Sequence, residues 1–178
     1  SLRGDRGNPG SVRVDEQLPG GRRTRWLLSS HQLTAVSVFT RWAIVWIVHG
    51  PVTAEHSIQF LERVRQQWRR LGYPIRAIVA DNGPEYVASK FADALARHQI
   101  TRIKIPARSP NHNAVVERFQ GTMLQECWRP AFHRRHFTSI RQLQREADSC
   151  LITYSTRRRN HGNYMAGRRP IELLNKAS

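Results

Sequence analysis

Apolar residues recur along this chain at two spacings, every second position in some stretches and every third or fourth in others. Val12-Arg13-Val14-Asp15 alternates as a short strand does, and Leu18 to Arg25, with its Pro-Gly-Gly, reads as a turn or long hairpin loop. β-Branched and aromatic residues dominate from Leu33 to Phe39 and from Ala43 to Val48. That composition predicts two further strands, with a tight reversal at Thr40-Arg41. Thr53 is placed to cap a helix in which Ile58, Leu61, Val64, Trp68 and Leu71 share a face, and Gly72 ends it. Ile75 to Ala80 is a short apolar strand that stops at Asp81. A second helix carries Phe91, Ala92, Leu95 and Ala96 on one face, and Ile100 to Ile105 alternates as a fifth strand closed by Pro106. After the polar stretch Ala107 to Asn113, Val116, Phe119, Met123 and Cys127 fall at helical spacing. Ser139 caps a last long helix with Ile140, Leu143, Ala147, Cys150, Leu151 and Tyr154 inward.

Three strands, helix, strand, helix, strand and then helices is the order of an α/β layer fold, a central mixed sheet with helices packed on it. Residues 1–11, mostly Gly, Pro, Ser and charge with no apolar period, read as a flexible arm ahead of a single core domain over 12–175. There is no internal repeat.

Composition narrows the function. The 178 residues are 39% hydrophobic and 24% charged, a globular balance. Against 13 acidic residues stand 29 Lys and Arg, a formal net charge of +16. Only Lys90, Lys104 and Lys176 are lysines, so 26 of the cations are arginine, whose planar fork suits bidentate phosphate contacts. The surplus favours nucleic acid over a small neutral ligand, with an arginine-preferring source as the bland alternative. Clusters at Arg22-Arg23, Arg69-Arg70, Arg134-Arg135 and Arg157-Arg158-Arg159 are each DNA-facing patches or solvated faces. Cys127 and Cys150 lie far apart in helix-like segments without a CxxC or Cys/His cluster. That argues against zinc and for two reduced core thiols. No signal peptide is visible, and the longest apolar run, Ala43 to Val48, is too short to span a bilayer, so a cytoplasmic protein without a membrane partner is expected.

In a chain poor in acids, three carboxylates draw attention. Asp81 follows an apolar strand, at the sheet edge where α/β folds place ligands, although Asp-Asn-Gly is also a good turn sequence. Asp15 ends the Val-Arg-Val alternation and by itself reads as a surface turn residue. If its strand lies beside the Ile75–Ala80 strand, the two like charges meet at one edge, where they repel unless a divalent cation holds them. Glu117 stands in the first turns of its helix, where a glutamate also interacts favourably with the dipole. Three hard oxygen donors without thiolates suit Mg2+ or Mn2+. Such a cluster can hold two cations about 3.5–4 Å apart, one activating a water or a DNA 3′-hydroxyl and the other stabilising the leaving oxygen.

Together, Asp81-Asn82-Gly83-Pro84-Glu85-Tyr86, Ser109-Pro110-Asn111-His112-Asn113 and Val116-Glu117-Arg118-Phe119 resemble the core of the retroviral-integrase-type (DD35E) bacterial transposases and integrases. Asp81 and Glu117 are separated by 35 residues, the family's interval. The tail from Tyr154, Arg157 and His161 to Leu174 is similar to the end of that core, so the likeness runs from about Val12 to Leu174. It implies an RNase H-like fold with a five-stranded mixed sheet flanked by helices. It also implies DNA cleavage and strand transfer with Mg2+ (or Mn2+), on transposon ends and target DNA, by homo-oligomers assembled on DNA. Carried over residue by residue, Asp15, Asp81 and Glu117 are the metal-binding catalytic residues, Asn111, His112 and Asn113 orient the DNA end, and Arg118 neutralises a phosphate. The chain departs from the pattern in three places, one of them a longer segment after Asp15 in which Arg22 to Gln32 are partly unaccounted for. Ser37-Val38-Phe39-Thr40-Arg41 has Ser where the family often has Asp, and Gln120, Gly121 and Gln125 stand where a basic residue often follows the glutamate. A plain RNase H-like nuclease and a catalytically inactive transposase-derived DNA-binding module remain open readings at this point.

Overall fold

In a computed structural model of the chain, residues 11–13, 30–80, 89–104, 114–162 and 165–174 are described, with backbone alone for 11–13 and Lys104. Strands β1 (Ser11–Arg13), β2 (Ser30–Val36) and β3 (Ala43–His49) form an antiparallel sheet in that order. Helix α1 (Ala54–Arg70) follows, and then β4 (Ala77–Ala80), α2 (Ser89–Arg97) and β5 (Thr101–Lys104) make a β-α-β unit with parallel strands. The remainder is helical: α3 (Ala114–Thr122), a π-helical segment (Met123–Trp128), α4 (Arg129–Arg134), α5 (Ile140–Thr156) and α6 (Pro170–Leu174). Both strand directions expected of a mixed sheet are present. Among the described residues, however, the strands group as three and two, not as one five-stranded sheet.

The apolar run of β3 is continuous because both of its faces are covered. Ala43, Val45 and Ile47 pack on one side against Phe119, Met123, Trp128, Leu143 and Ala147. Ile44 and Val48 pack on the other side with Leu33 against Phe60 and Val64 of α1. This two-sided burial removes the polar half of the strand alternation. On its open edge, Ile47 N–H donates to Gln144 Oε1 at 2.8 Å and Gln144 Nε2 donates to Val45 O at 3.0 Å. One side-chain amide from α5 thus does the work of a neighbouring strand at a position where bare edges invite aggregation.

Several boundaries moved from where the pattern put them. β2 runs over Ser30–Val36, starting and ending earlier than the apolar run Leu33–Phe39. Its first residues are polar yet buried, Ser30 and Gln32 both being fully inaccessible. Ser37 to Arg41 instead form the reversal, in which Thr40 N–H donates to Ser37 Oγ at 3.1 Å and Arg41 adopts a left-handed φ of 59°. α2 buries Phe91, Ala94 and Leu95, leaving Ala92 and Ala96 exposed, because Ile100 and α1 approach from the Ala94 side. Thr53 and Ser139 cap α1 and α5 as expected, through His56 N–H and Gln142 N–H.

The cysteine expectation also needs correction. Cys127 and Cys150 are joined in a disulfide, their Cα atoms 5.9 Å apart. Helical spacing along the chain does not reveal that the π-helical segment and α5 lie against each other. Glu146 stands beside both sulfurs, but bonded sulfurs are not thiolate ligands, so this group does not form a zinc site. The π segment ends two residues before Pro130, and Arg129 N–H reaches back to Leu124 O. The wider turn relieves the clash between a proline ring and the preceding helical carbonyls.

At the chain's end α6 is held by an ion pair. Glu172 accepts from Arg169 N–H at 2.6 Å and from its guanidinium at 2.9 Å, and these bonds hold the carboxyl down to about 2. A carboxyl depressed in the folded state contributes stability above its unfolded value, near 4.5, and loses it as pH falls toward 2. Glu172→Gln is therefore expected to lower the melting temperature at neutral pH and to flatten the acid limb, its difference from wild type vanishing as pH falls toward 2. An unaltered acid limb would show that the pair does not contribute.

Candidate active site

The strand that precedes Asp81 and the helix that holds Glu117 both line one apolar cavity of about 450 Å³. Val115 and Val116 of α3, Ala77 to Ala80 of β4 and the Ser37–Thr40 reversal line it, together with Phe60, Leu61 and Val64 of α1. β4 ends at Ala80, one residue before Asp81 in sequence, and Val116 directly precedes Glu117. Two β-branched residues at the start of α3 are what dock this helix: they point into the cavity and Phe119 is buried beneath, leaving Glu117 and Arg118 exposed.

Of the residues singled out from sequence, Glu117 and Arg118 lie among those described. Asp15, Asp81, Asn111, His112 and Asn113 lie outside the described residues. Glu117 sits in the first turn of α3, where the helix dipole favours its negative charge. Among the described residues it makes no ion pair, so its carboxylate is a hard oxygen donor open to a divalent cation. Ser37, at the family's frequent Asp position, uses its hydroxyl to accept from Thr40 N–H and so closes the reversal. An Asp there can do the same local job, which gives the Asp-to-Ser departure a structural account.

Sequence reasoning missed a set of cations gathered beside α3. A methyl group placed on Gly162 would lie 3.1 Å from Arg118 Nη1 and 3.7 Å from Arg41 Nη2, so two guanidinium groups converge there. Arg158, from the triple-arginine run, is taken up by Glu126, which it meets through Nε at 3.0 Å and Nη2 at 2.8 Å. Tyr154 lies near these groups, its ring edge-on to Phe119 at 4.9 Å. Burial raises its hydroxyl, and the Arg158 and Arg41 charges act against that rise. The Thr40-Arg41 turn was legible in the sequence; that its arginine reaches α3 was not.

No helix among the described residues is long and apolar enough to cross a membrane. The Integrase core domain family matches residues 15–110, and a second family described as Integrase core domain matches 98–163. The chain is 33% identical over 110 residues to the uncharacterized 39.2 kDa protein of insertion element IS476 from Xanthomonas euvesicatoria, covering 62% of this chain and 30% of that one. It is 30% identical over 114 residues to the uncharacterized 31.7 kDa protein of insertion element IS407 from Burkholderia multivorans, covering 64% and 38%. The chain thus spans about a third of the length of these relatives, 30% and 38%. Among solved structures, the catalytic core domain of BIV integrase superposes with a TM-score of 0.63 at 17% identity, over 83% of this chain and 87% of that one. The HTLV-2 integrase catalytic core domain in complex with magnesium gives 0.57 at 18%, over 82% and 84%. A simian T-cell lymphotropic virus intasome chain gives 0.65 at 18%, over 82% and 47%. By the match over residues 15–110 the chain belongs to the integrase core domain family, and the backbone likeness to integrase catalytic cores gives it their RNase H-like fold.

Proposed function

We propose that this chain cuts DNA ends and joins them to a target strand, with Asp15, Asp81 and Glu117 as its catalytic carboxylates and residues 12–175 as the working domain. The observation that carries the reading is the shared cavity: it is lined by the end of β4, whose last residue directly precedes Asp81 in sequence, and by Val115 and Val116, which directly precede Glu117. The donor set is carboxylate throughout, which fits Mg2+ or Mn2+. Bound between the carboxylates, the metal supplies charge that activates the attacking oxygen and offsets charge on the leaving one.

The chain's own residues do the positioning. Glu117 projects from a helix docked by Val116 and Phe119, so its backbone is fixed before DNA arrives, an arrangement that keeps a ligand near its productive geometry. Arg118, one residue on and exposed, offers a fork to a phosphate, and Asn111, His112 and Asn113 orient the DNA end. The net charge of +16 attracts the backbone without regard to sequence, so affinity falls as salt rises. The reading has the protein working in the cytoplasm, as homo-oligomers on transposon ends and target DNA. The intasome assembly and the magnesium complex of the structural neighbours support it by likeness.

Strand transfer of labelled DNA ends decides the matter. With Mg2+ or Mn2+, products longer than the input are expected, and chelation by EDTA should remove them. Shortened products alone would make the chain a nuclease, and metal-indifferent DNA binding with no product would make it a binding module.

A further inference from the structure

The loop that follows α5 is basic, and its cations are divided between two uses. It carries Arg157, Arg158, Arg159, Arg168 and Arg169, and the acids paired with it are Glu126 and Glu172. Two of the five arginines hold the loop in place. Arg158 meets Glu126 through Nε at 3.0 Å and Nη2 at 2.8 Å. Arg169 meets Glu172 at 2.9 Å and reaches Thr156 O at 3.3 Å. Arg159 is partly used: its Nη1 donates to Gly167 O at 3.2 Å, and its charge reaches Glu172. Arg157 and Arg168 are exposed, and among the described residues neither makes an ion pair. Both acids are thus consumed by the frame, and two guanidinium groups are left on the surface.

The backbone that carries them is fixed. Arg157 N–H donates to Thr153 O at 2.9 Å at the end of α5. Asn160 and Arg168 form a bridge, with Asn160 N–H on Arg168 O at 3.0 Å and Gly167 N–H on Asn160 O at 2.9 Å. Met165 is fully buried, and Ala166 beside it takes a left-handed φ of 47°. That conformation is uncommon for a residue with a side chain, and such strain persists only where the surroundings over-determine it. Cations on a frame of this kind lose less freedom on meeting a ligand than cations on a mobile loop. The frame also has a defined place. Its start is tied to Glu126 through Arg158, and a methyl group on Gly162 would stand 3.1 Å from Arg118 Nη1. Arg118 lies in α3 and Glu126 in the π-helical segment that continues it, so the loop runs back along this helix toward Glu117. Between Arg118 and Arg129 the helix has no basic residue of its own. Arginines set beside the exposed Glu117 on such a frame suit a polyanion whose phosphates their forks can bind.

We propose that the loop over 157–162 and 165–168 is a DNA-backbone contact flanking Glu117, with Arg157 and Arg168 each taking one phosphate. This rests on the reading of the chain as one that acts on DNA. It adds a binding surface outside the carboxylates and the 111–113 stretch. Arg158 and Arg169 belong to the frame: they hold the loop and leave the phosphates to the other two.

The test is anisotropy of a short fluorescein-labelled duplex with EDTA present, read as the slope of log affinity against log salt. The double variant Arg157→Gln, Arg168→Gln is expected to lose about 1.8 from the slope, the share of two phosphates at about 0.9 each. The comparison is Arg141→Gln, Arg145→Gln, which removes the same charge from exposed positions at the other end of α5. Arg145 precedes Arg157 by 12 residues, about 18 Å along the helix and beyond a Debye length of about 8 Å at physiological salt. This second pair should leave the slope nearly unchanged. Melting temperatures establish that both variants are folded. Phenylglyoxal modification of the wild-type chain, mapped by mass spectrometry, needs no variant: duplex should shield Arg157 and Arg168 and leave Arg141 and Arg145 reactive. An unchanged slope in the loop variant overturns the proposal. So does an equal loss in the two variants, which would make the effect one of net charge, and so does modification of Arg157 and Arg168 that duplex does not slow. In each of these cases the wild-type chain still binds the duplex and the DNA reading stands. Failure of the wild-type chain to bind at all would bring down that reading and the loop's role with it.

Discussion

Replacing Glu117 by Gln is expected to abolish strand transfer while the chain still folds and binds DNA. The carboxylate is exposed and makes no ion pair among the described residues, so the folded state asks little of it. Its structural contribution is the favourable interaction of a negative charge with the N-terminal end of α3, worth about 0.3–1 kcal/mol. The catalytic contribution that the proposed function assigns to it is of another size. A hard oxygen ligand that helps hold the metal supports charge stabilisation of several kcal/mol, and each 1.36 kcal/mol is tenfold in rate, so a loss of roughly a thousandfold or more follows. Gln keeps the shape and the helix register but gives up the charge the metal needs. Glu55→Gln is the fitting comparison, since Glu55 occupies the first turn of α1 and serves the dipole in the same way with no chemistry nearby. Joined product should vanish in the first variant and persist in the second, with equal duplex affinity and melting temperatures within a few degrees. Joined product forming at an undiminished rate in Glu117→Gln would remove this residue from the mechanism.

How much of this was legible in the sequence depends on whether the cause was local. Helix caps were legible, because Thr53 and Ser139 act on residues only three positions away. So was the order of strands and helices, since period and turn chemistry belong to single segments. The start of β2 was not, because Ser30, His31 and Gln32 look like loop and are drawn into the sheet by partners elsewhere. His31 pairs with Val48 across the ladder, and Gln32 accepts from Trp128 Nε1. Glu146 was missed on the inward face of α5 for the same reason. It is buried, and Arg134 and Arg135, which read as either a DNA-facing patch or a solvated face, turn back to meet it. The disulfide and the Arg41–Arg118 meeting are likewise products of packing between segments remote in sequence. Spacing did place Glu117 in the first turns of its helix, because a helix start is a one-dimensional feature, but its neighbours Val116 and Phe119 suggested a side chain near the helix–sheet boundary and the structure has it exposed.

Trp128→Ala is expected to leave the chain close to unfolded, the largest effect on stability of any single change in the described core. The indole is 2% exposed, and its Nε1 donates to Gln32 Oε1 at 2.8 Å. Gln32 is itself inaccessible and spends its amide hydrogen on Thr34 Oγ1 at 3.0 Å. Phe132 stacks on the indole with centroids 6.0 Å apart, and Phe137 closes edge-on against Phe132 at 5.2 Å. Truncation removes the largest fully buried side chain and opens a cavity between the sheet and the helices, costing about 3–5 kcal/mol. It also strands the Gln32 carbonyl in an apolar place, a further penalty of about 1–3 kcal/mol. Against a total of about 5–15 kcal/mol for a domain of ordinary stability, little is left. Trp128→Phe separates the two contributions: it keeps most of the packing but still orphans Gln32. Its cost should therefore fall between wild type and Trp128→Ala, and adding Gln32→Leu should return part of it, because removing both partners of a buried hydrogen bond is gentler than removing one. Urea unfolding of the three variants tests the order. If Gln32→Leu deepens the loss of Trp128→Phe, the hydrogen bond is not what makes this polar residue tolerable in the core, and packing alone has to account for Trp128.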